Sequence, residues 1–340
     1  MLNEVFDGKV IAVTGGLGSI GSKIVYRLLQ FNPKQILVLD NRETELFYCG
    51  DRSTKKIETM FCDVRSKDLI LPIFKNVDIV IHAAAMKHVP ICERFPVDAV
   101  VTNIIGTKNI IEACIENNIE KMVLISTDKA VNPTSVMGAT KFIAEKIVAS
   151  TCTSGKKMET KFGVVRFGNV LGSRGSVLEI WRNQLVKGEK ITITDPSMTR
   201  FVMTIQEATN LILSAIQYVE NGETFIFKMP SVEIGLLGEA FLGLMGYPSD
   251  HFKIKNSRPG EKLHERLLSQ LEINYCLEDE RFLIKMPKKI EKTDLNKWKK
   301  MGFKKAKAID YQSNYSDYLL DKNSITKLIE KVFNENPKNS

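Results

Sequence analysis

The stretch Thr14-Gly-Gly-Leu-Gly-Ser-Ile-Gly21 constrains this chain more than any other. It follows the β-branched run Val10–Thr14 and precedes a helical pattern at Ser22–Phe31. Its glycines at 15, 18 and 21 therefore stand where a strand turns sharply into a helix. In that setting Gly15 permits the tight turn, Gly18 lets the backbone approach a pyrophosphate, and Gly21 lets helix and strand pack closely. The N–H groups and partial positive charge of the helix N-terminus then face the phosphates. Ser19 and Ile20 lie inside this turn and are assigned to the same ligand.

Through the first half of the chain, short apolar runs alternate with helical patterns. The runs are Val10–Thr14, Gln35–Asp40, 57–63, 77–82, Met122–Ser126 and Phe162–Phe167. Helical stretches lie at Ser22–Phe31 and Asn103–Asn117. Several runs are apolar almost throughout, as expected of parallel strands covered on both faces. The fold class predicted is α/β, a Rossmann-like doubly wound parallel sheet. After Val170 the spacing predicts helices at Ser176–Lys187, Ile205–Glu220 and Gly235–Met245, and strands at Ile191–Thr194 and Thr224–Lys228. A loop at Ser257–Lys262 and a polar tail follow. The division expected is a dinucleotide-binding domain over 1–170, with a return strand near 224–229. Residues 171–340 are mainly a smaller substrate-binding domain and tail.

Asp40 ends the second run, 19 residues after Gly21. A carboxylate there accepts hydrogen bonds from the adenosine ribose and repels a 2′-phosphate, which favours NAD. Arg42 lies close by and keeps NADP open as the alternative. Asp63 ends the third run and is read as an adenine contact or a turn residue. Val64, Ala83 and Ala84, just past the third and fourth runs, complete the cofactor set.

Composition sets limits on other functions. Hydrophobic residues make up 44% and charged residues 26% of 340, which argues against disorder. No apolar run reaches the roughly 18–20 residues of a membrane span, and Glu4 and Asp7 precede the first apolar run, unlike a signal peptide. The location expected is cytoplasmic. Six cysteines form no CxxC pair and accompany no histidine cluster, so no metal is expected. The net charge is +8, and residues 285–307 carry ten lysines against Glu291 and Asp294. That stretch has no Arg and few aromatics (Trp298, Phe303), so it reads as a solvated face, with no nucleic-acid partner.

A second constellation, Ser126-Thr-Asp-Lys-Ala-Val-Asn-Pro133, follows the fifth run. Sheets of this class place ligands at such strand ends. Met137-Gly-Ala-Thr-Lys141 follows and opens a helix.

Together these strings resemble the extended short-chain dehydrogenases/reductases. More narrowly, they resemble the UDP-N-acetylglucosamine 4,6-dehydratases of the CapD/CapE-like polysaccharide biosynthesis group. The resemblance covers roughly residues 8–325 and includes HAAAMKHVP at 82–90, TNIIGT at 102–107 and RFGNVLGSRGSV at 166–177. It extends to DPSMTRF at 195–201 and RPGEKLHE at 258–265. The family usually has Tyr where Met137 stands, although one branch also has Met. A thioether cannot ionise, so Met137 is read as packing against sugar or nicotinamide. The base at C4 then has Asp128 as its first candidate, with Lys129 or a water held by Lys141 behind it.

The resemblance implies a UDP-sugar oxidised at C4, stripped of water across C5 and C6, and reduced at C6. By the same resemblance, Lys129 acts at C5 and Asp128 at the C6 oxygen. Thr127 bonds the sugar near O4, and Lys141 holds the nicotinamide ribose. A Lys base requires a lowered pKa, expected from desolvation or from cations such as Lys141. Arg200 and Arg258 are the expected diphosphate clamps, assisted by Arg174. Asn169 is expected on a substrate or uracil amide, Glu261 on a ribose hydroxyl or ordering its loop, and Lys87 and His88 in the sugar pocket. The last two motifs lean toward the C5-inverting branch. Relatives form dimers or hexamers, so a homo-oligomer without a membrane segment is expected. The rival readings are a UDP-N-acetylglucosamine 4-epimerase, which needs no C5 or C6 acid/base, and a non-catalytic NAD sensor.

Overall fold

The computed structural model describes residues 2–50, 55–153, 159–256, 259–307 and 311–335. The first strands are β1 (Val10–Thr14), β2 (Gln35–Asp40), β3 (Ile57–Phe61), β4 (Ile79–His82), β5 (Lys121–Thr127) and β6 (Lys161–Phe167). Next come β7 (Asn169–Leu171), β8 (Ile191–Ile193), β9 (Thr199–Thr204), β10 (Glu223–Phe227), β11 (Ser231–Glu233) and β12 (Phe252–Ile254). The last are β13 (Cys276–Glu278), β14 (Phe282–Lys285) and β15 (Lys304–Lys305).

Among the described residues, ten strands form one sheet in the order β15-β13-β14-β10-β6-β5-β4-β1-β2-β3. The strands from β3 to β10 pair in parallel, and β14, β13 and β15 add an antiparallel edge. β1 and β4 are buried along their whole length, which explains their unbroken apolar runs. Ile11 and Val13 face the helices Ser19–Leu28 and Ile205–Ile216. Val10 and Ala12 face the helices Gly106–Glu116 and Val136–Thr153. The chain reverses direction across the sheet between β1 and β4, which opens a crevice at their carboxyl ends.

A smaller body sits over that crevice. It contains the sheet β11-β9-β7, the pair β12-β8, and the helices Val177–Val186, Ile234–Leu244 and Lys322–Glu335. Trp181, Phe241, Val202 and Ile329 are in its apolar centre.

Three local readings change. The first helix begins at Ser19, three residues earlier than its apolar spacing suggests, because Gly18 already has N-cap geometry. The stretch read as helical from Asn103 is helical from Pro96, and Val101–Ile105 form a π-helical segment. A π turn shifts the apolar stripe, which hides the earlier turns from a 3.6-residue period. The polar tail contains three strands of the main sheet and two helices. Phe282, Ile284, Trp298 and Phe303 anchor it in the core, Lys285 turns inward to Glu272 at 3.0 Å, and Lys288, Lys297 and Lys304 face outward. Strands of two to four residues among lysines carry too little alternation to be seen.

Candidate active site

The crevice is a cavity of about 1200 Å³ between the two bodies. Its floor is the glycine turn. Gly15 has φ +62°, and a Cβ there would stand 2.7 Å from the Ala84 nitrogen. A Cβ on Gly21 would stand 2.3 Å from the Gly15 carbonyl oxygen. Both positions accept only glycine because backbone fills the space. No side chain caps the helix that starts at Ser19, so its first turn opens onto the cavity. A dinucleotide pyrophosphate fits this cradle. Ser19, Ile20, Val64, Ala83 and Ala84 line the same cavity.

At the adenosine end, Asp40 is buried and accepts hydrogen bonds from the Leu17 N–H (3.1 Å) and from the forked Arg42 side chain (2.9 and 3.0 Å). Burial pushes this carboxyl up, but Arg42 and the backbone donors outweigh it and hold it low. The Asp40 charge is thus locally neutralised, and its expected repulsion of a 2′-phosphate is weaker than the sequence suggested. Asp63 is engaged in the same way by the Arg65 guanidinium (2.5 Å) and lines the cavity beside it.

The strings read as catalytic from the sequence meet at the carboxyl end of β5. Thr127, Lys129, Met137, Lys141 and Asn169 all line the cavity. Lys129 donates from Nζ to Asp128 Oδ1 at 3.0 Å and lies 3.6 Å from Glu265 Oε1 and 3.5 Å from Asn169 Oδ1. Burial pulls the Lys129 ammonium down, but the two carboxylates outweigh it, so its pKa is raised. This corrects the expectation of a lowered Lys129 pKa: its near neighbours are anions, not Lys141.

Asp128 lies behind Lys129 with no solvent exposure and is not on the cavity wall. Burial and Glu265 push its carboxyl up, against the pull of Lys129 and Thr127. That direction favours the protonated form, which of the two roles expected of Asp128 fits the acid better than the base at C4. Lys141 is buried, donates to the Ile125 carbonyl at 2.7 Å, and is pulled by burial down to about 8, with Glu145 opposing. Met137 packs among Cys92, Ala99, Met86 and Val89.

On the opposite wall, Arg200 is buried, donates to the Thr199 and Leu263 carbonyls (2.8 and 3.1 Å), and stands 3.5 Å from Glu261. Arg174 sits away from it, on the glycine-turn side. Its N–H donates to Ser19 Oγ at 2.9 Å and its guanidinium to the Leu17 carbonyl. Lys87 donates to the Arg174 carbonyl at 2.8 Å, and His88 packs against Gly175. Arg258 lies outside the described residues.

Three contributors escaped the sequence reading. Glu265 is buried within the RPGEKLHE string and joins the Lys129 cluster. Asn103 bonds the Met86 N–H (2.8 Å), the Met86 carbonyl and Thr140, pinning the loop after β4 to the Met137 helix. His82 bonds Thr14 (2.7 Å) and Thr107 (3.1 Å) beneath the glycine turn; burial pulls its pKa down to about 3, so it stays neutral. Asn103 and Glu265 stood inside quoted strings, but nothing in those strings said they face inward. Among the described residues, no group of three or more His, Cys, Asp or Glu is placed to hold a metal, and no helix is long and apolar enough to cross a membrane.

Residues 11–287 match the family model described as polysaccharide biosynthesis protein. A Methanocaldococcus jannaschii protein named as an uncharacterized membrane protein is 44% identical over 97% of this chain and 98% of its own length. A Campylobacter jejuni UDP-N-acetylglucosamine 4,6-dehydratase (inverting) is 39% identical over 82% of this chain and 83% of its own. A Rickettsia canadensis UDP-glucose 4-epimerase is 35% identical over 78% and 79%. Among solved structures, Pen from Bacillus thuringiensis superposes with a TM-score of 0.88 at 36% identity, covering 96% of this chain and 99% of that one.

Proposed function

This chain belongs to the polysaccharide biosynthesis protein family, and from that membership we propose that it is a UDP-N-acetylglucosamine 4,6-dehydratase that uses NAD and inverts C5. The observation that carries the reading is the Lys129–Asp128 contact of 3.0 Å at the cavity wall. Loss of water across C5 and C6 needs a base at C5 and an acid at the C6 oxygen, and this pair supplies both. A 4-epimerase needs neither.

Bound NAD supplies the acceptor for the C4 hydride and the donor that returns it at C6. The chain's residues do the rest. Asp128 enters the step as the neutral carboxylic acid, and Lys129 as the free amine after giving its ammonium proton to solvent through the cavity. Lys129 then takes the C5 proton, and Asp128 protonates the departing C6 hydroxyl after a short side-chain movement towards the cavity. Afterwards the Lys129 ammonium returns its proton to Asp128, and a water protonates C5 from the face opposite Lys129 as the hydride arrives at C6. The proton that Lys141 took from C4 replaces the one this water gave up, so that the pair is reset and C5 inverted. Thr127 bonds the sugar near O4. Lys141, with its pKa near 8, accepts the C4 hydroxyl proton through a water and steadies the nicotinamide ribose. Arg200 and Arg258 clamp the diphosphate, with Glu261 orienting Arg200. Asn169, Lys87 and His88 line the sugar and uridine side. Arg174 closes over the glycine turn. Residues 1–170 with the return strand serve the cofactor, and most of 171–340 serves the substrate. NADP is the alternative cofactor, because Arg42 offsets the Asp40 charge.

A homo-oligomer belongs to the same reading. Val97, Val100, Phe142 and Ile143 are exposed apolar residues on the helical segments flanking the Met137 site. Light scattering of the purified protein tests it. The function itself is tested by incubating the protein with UDP-N-acetylglucosamine and NAD and examining the product by mass and NMR. Loss of one water supports the dehydratase; an unchanged mass with inverted C4 supports the epimerase.

A further inference from the structure

Two carboxylates flank Lys129, and the dehydratase reading uses one of them. Glu265 is 3% exposed in its side chain and lies 3.6 Å from Lys129 Nζ, opposite Asp128. Its Oε2 has no hydrogen-bond partner, and neither has Asp128 Oδ2, although both atoms are buried. Two buried carboxylate oxygens without a donor are costly while both groups are ionised, because nothing replaces the hydrogen bonds that water would give them. The other charges facing the cluster are Lys262, 3.6 Å from Glu265 Oε2, and the Arg200–Glu261 pair. Lys262 and Arg200 lie on the Glu265 side and favour its ionised form. Of the two carboxylates, Asp128 is therefore the one to carry a proton.

We propose that Glu265 is a positioning residue for the proposed elimination: its carboxylate holds the Lys129 ammonium and, by like-charge repulsion, keeps a proton on Asp128. The proposal rests on the dehydratase reading only for its consequence in catalysis. The charge arrangement stands without it. With Glu265 ionised, Asp128 stays a neutral acid ready for the C6 oxygen. Without that charge, Asp128 ionises to balance Lys129 and the acid is lost. Removing an anion lowers the pKa of an acid and of an ammonium beside it alike. Both limbs of a dehydration pH profile therefore move to lower pH in Glu265→Gln, whereas loss of packing alone lowers the rate at every pH and leaves the limbs in place.

The test needs no turnover. Infrared difference spectra over pH follow the carboxylic-acid C=O stretch, and Asp128→Asn identifies which band belongs to Asp128. The expected result is an Asp128 band that persists well above the ordinary carboxylate range in the wild type. In Glu265→Gln it vanishes at a pH lower by at least about one unit, and in Glu265→Asp, which keeps the charge, it stays near wild type. A wild-type spectrum with no band removed by Asp128→Asn overturns the proposal. So does an Asp128 band that titrates at the same pH in Glu265→Gln. If Glu265→Gln fails to fold, Glu265→Asp against the wild type carries the test, and a lost Asp128 band in that charge-retaining variant overturns it. Wild-type protein that shows the band but does not dehydrate UDP-N-acetylglucosamine contradicts the function proposed above and supports the triad.

Discussion

The Lys129 ammonium stands 3.0 Å from the Asp128 carboxylate, and of the two only Lys129 reaches the cavity. In the proposed elimination Lys129 is the base at the cavity and Asp128 the acid behind it. In Lys129→Ala the C5 proton has no acceptor, while nothing at C4 has changed. Dehydration should fall by about 10²–10⁴, with isotope exchange at C4 surviving. Parallel assays of product formation and C4 label wash-out check this, and normal dehydration by the variant would remove Lys129 from its role.

With methionine at position 137, oxidation at C4 depends on another proton acceptor. Lys141 is held near pKa 8 by burial. The neutral amine is the competent form and gains population as pH rises through that value. C4 exchange should therefore climb through about pH 8, and Lys141→Met should abolish the climb. A flat wild-type profile from pH 6 to 9 would contradict it.

Arg42 screens Asp40 from the cavity through a two-pronged contact at 2.9 and 3.0 Å. Removing the guanidinium in Arg42→Ala exposes an uncompensated carboxylate to any 2′-phosphate. The ratio of NADP to NAD dissociation constants should rise about tenfold, a difference of about 1.4 kcal/mol. Calorimetric titration with each dinucleotide measures it.

Gly21 leaves no room for a methyl group, because a Cβ would meet the Gly15 oxygen at 2.3 Å and the Gly16 Cα at 2.9 Å. Gly21→Ala should open the turn at a cost of about 1–3 kcal/mol. Dinucleotide affinity should fall roughly tenfold to a hundredfold, with the far-ultraviolet spectrum retained.

Beneath the site, Arg166 is buried between Glu145 (2.6 Å) and Glu272 (3.1 Å). Burial pushes both carboxyls up, but Arg166 outweighs it and holds both below their ordinary values. Their contribution to stability is complete above the unfolded value of about 4.3 and is lost as pH falls below it. Arg166→Met takes the nearer cation from buried Glu145, leaving Lys285 at 3.9 Å, and should cost about 3–5 kcal/mol at neutral pH. The cost should shrink in acid, where the stranded carboxyls take up protons. Urea denaturation at pH 7 and pH 4 measures both values.

How far the sequence could be read depended on the range of the signal. The glycine turn and the strands buried on both faces are local patterns, so β1, β2, β4, β5 and β6 and the Thr127–Lys129 string were legible. Glu265 was not, because its partner lies 136 residues away in the chain and only the return of the RPGEKLHE loop to β5 brings them together. Arg174 was read from its charge as assisting the Arg200 and Arg258 clamps, and the tie of its backbone N–H to Ser19 was not legible because 155 residues separate them in the chain. The strands around Cys276, Phe282 and Lys304 were lost among lysines because two to four residues on a sheet edge need little apolar alternation.

In the proposed reaction one sugar is oxidised, dehydrated and reduced without leaving the cavity. UDP-N-acetylglucosamine carrying deuterium at C4 tests this directly. The expected product is lighter by one water and carries the deuterium at C6. Deuterium remaining at C4, with the mass unchanged and the C4 configuration inverted, would contradict it.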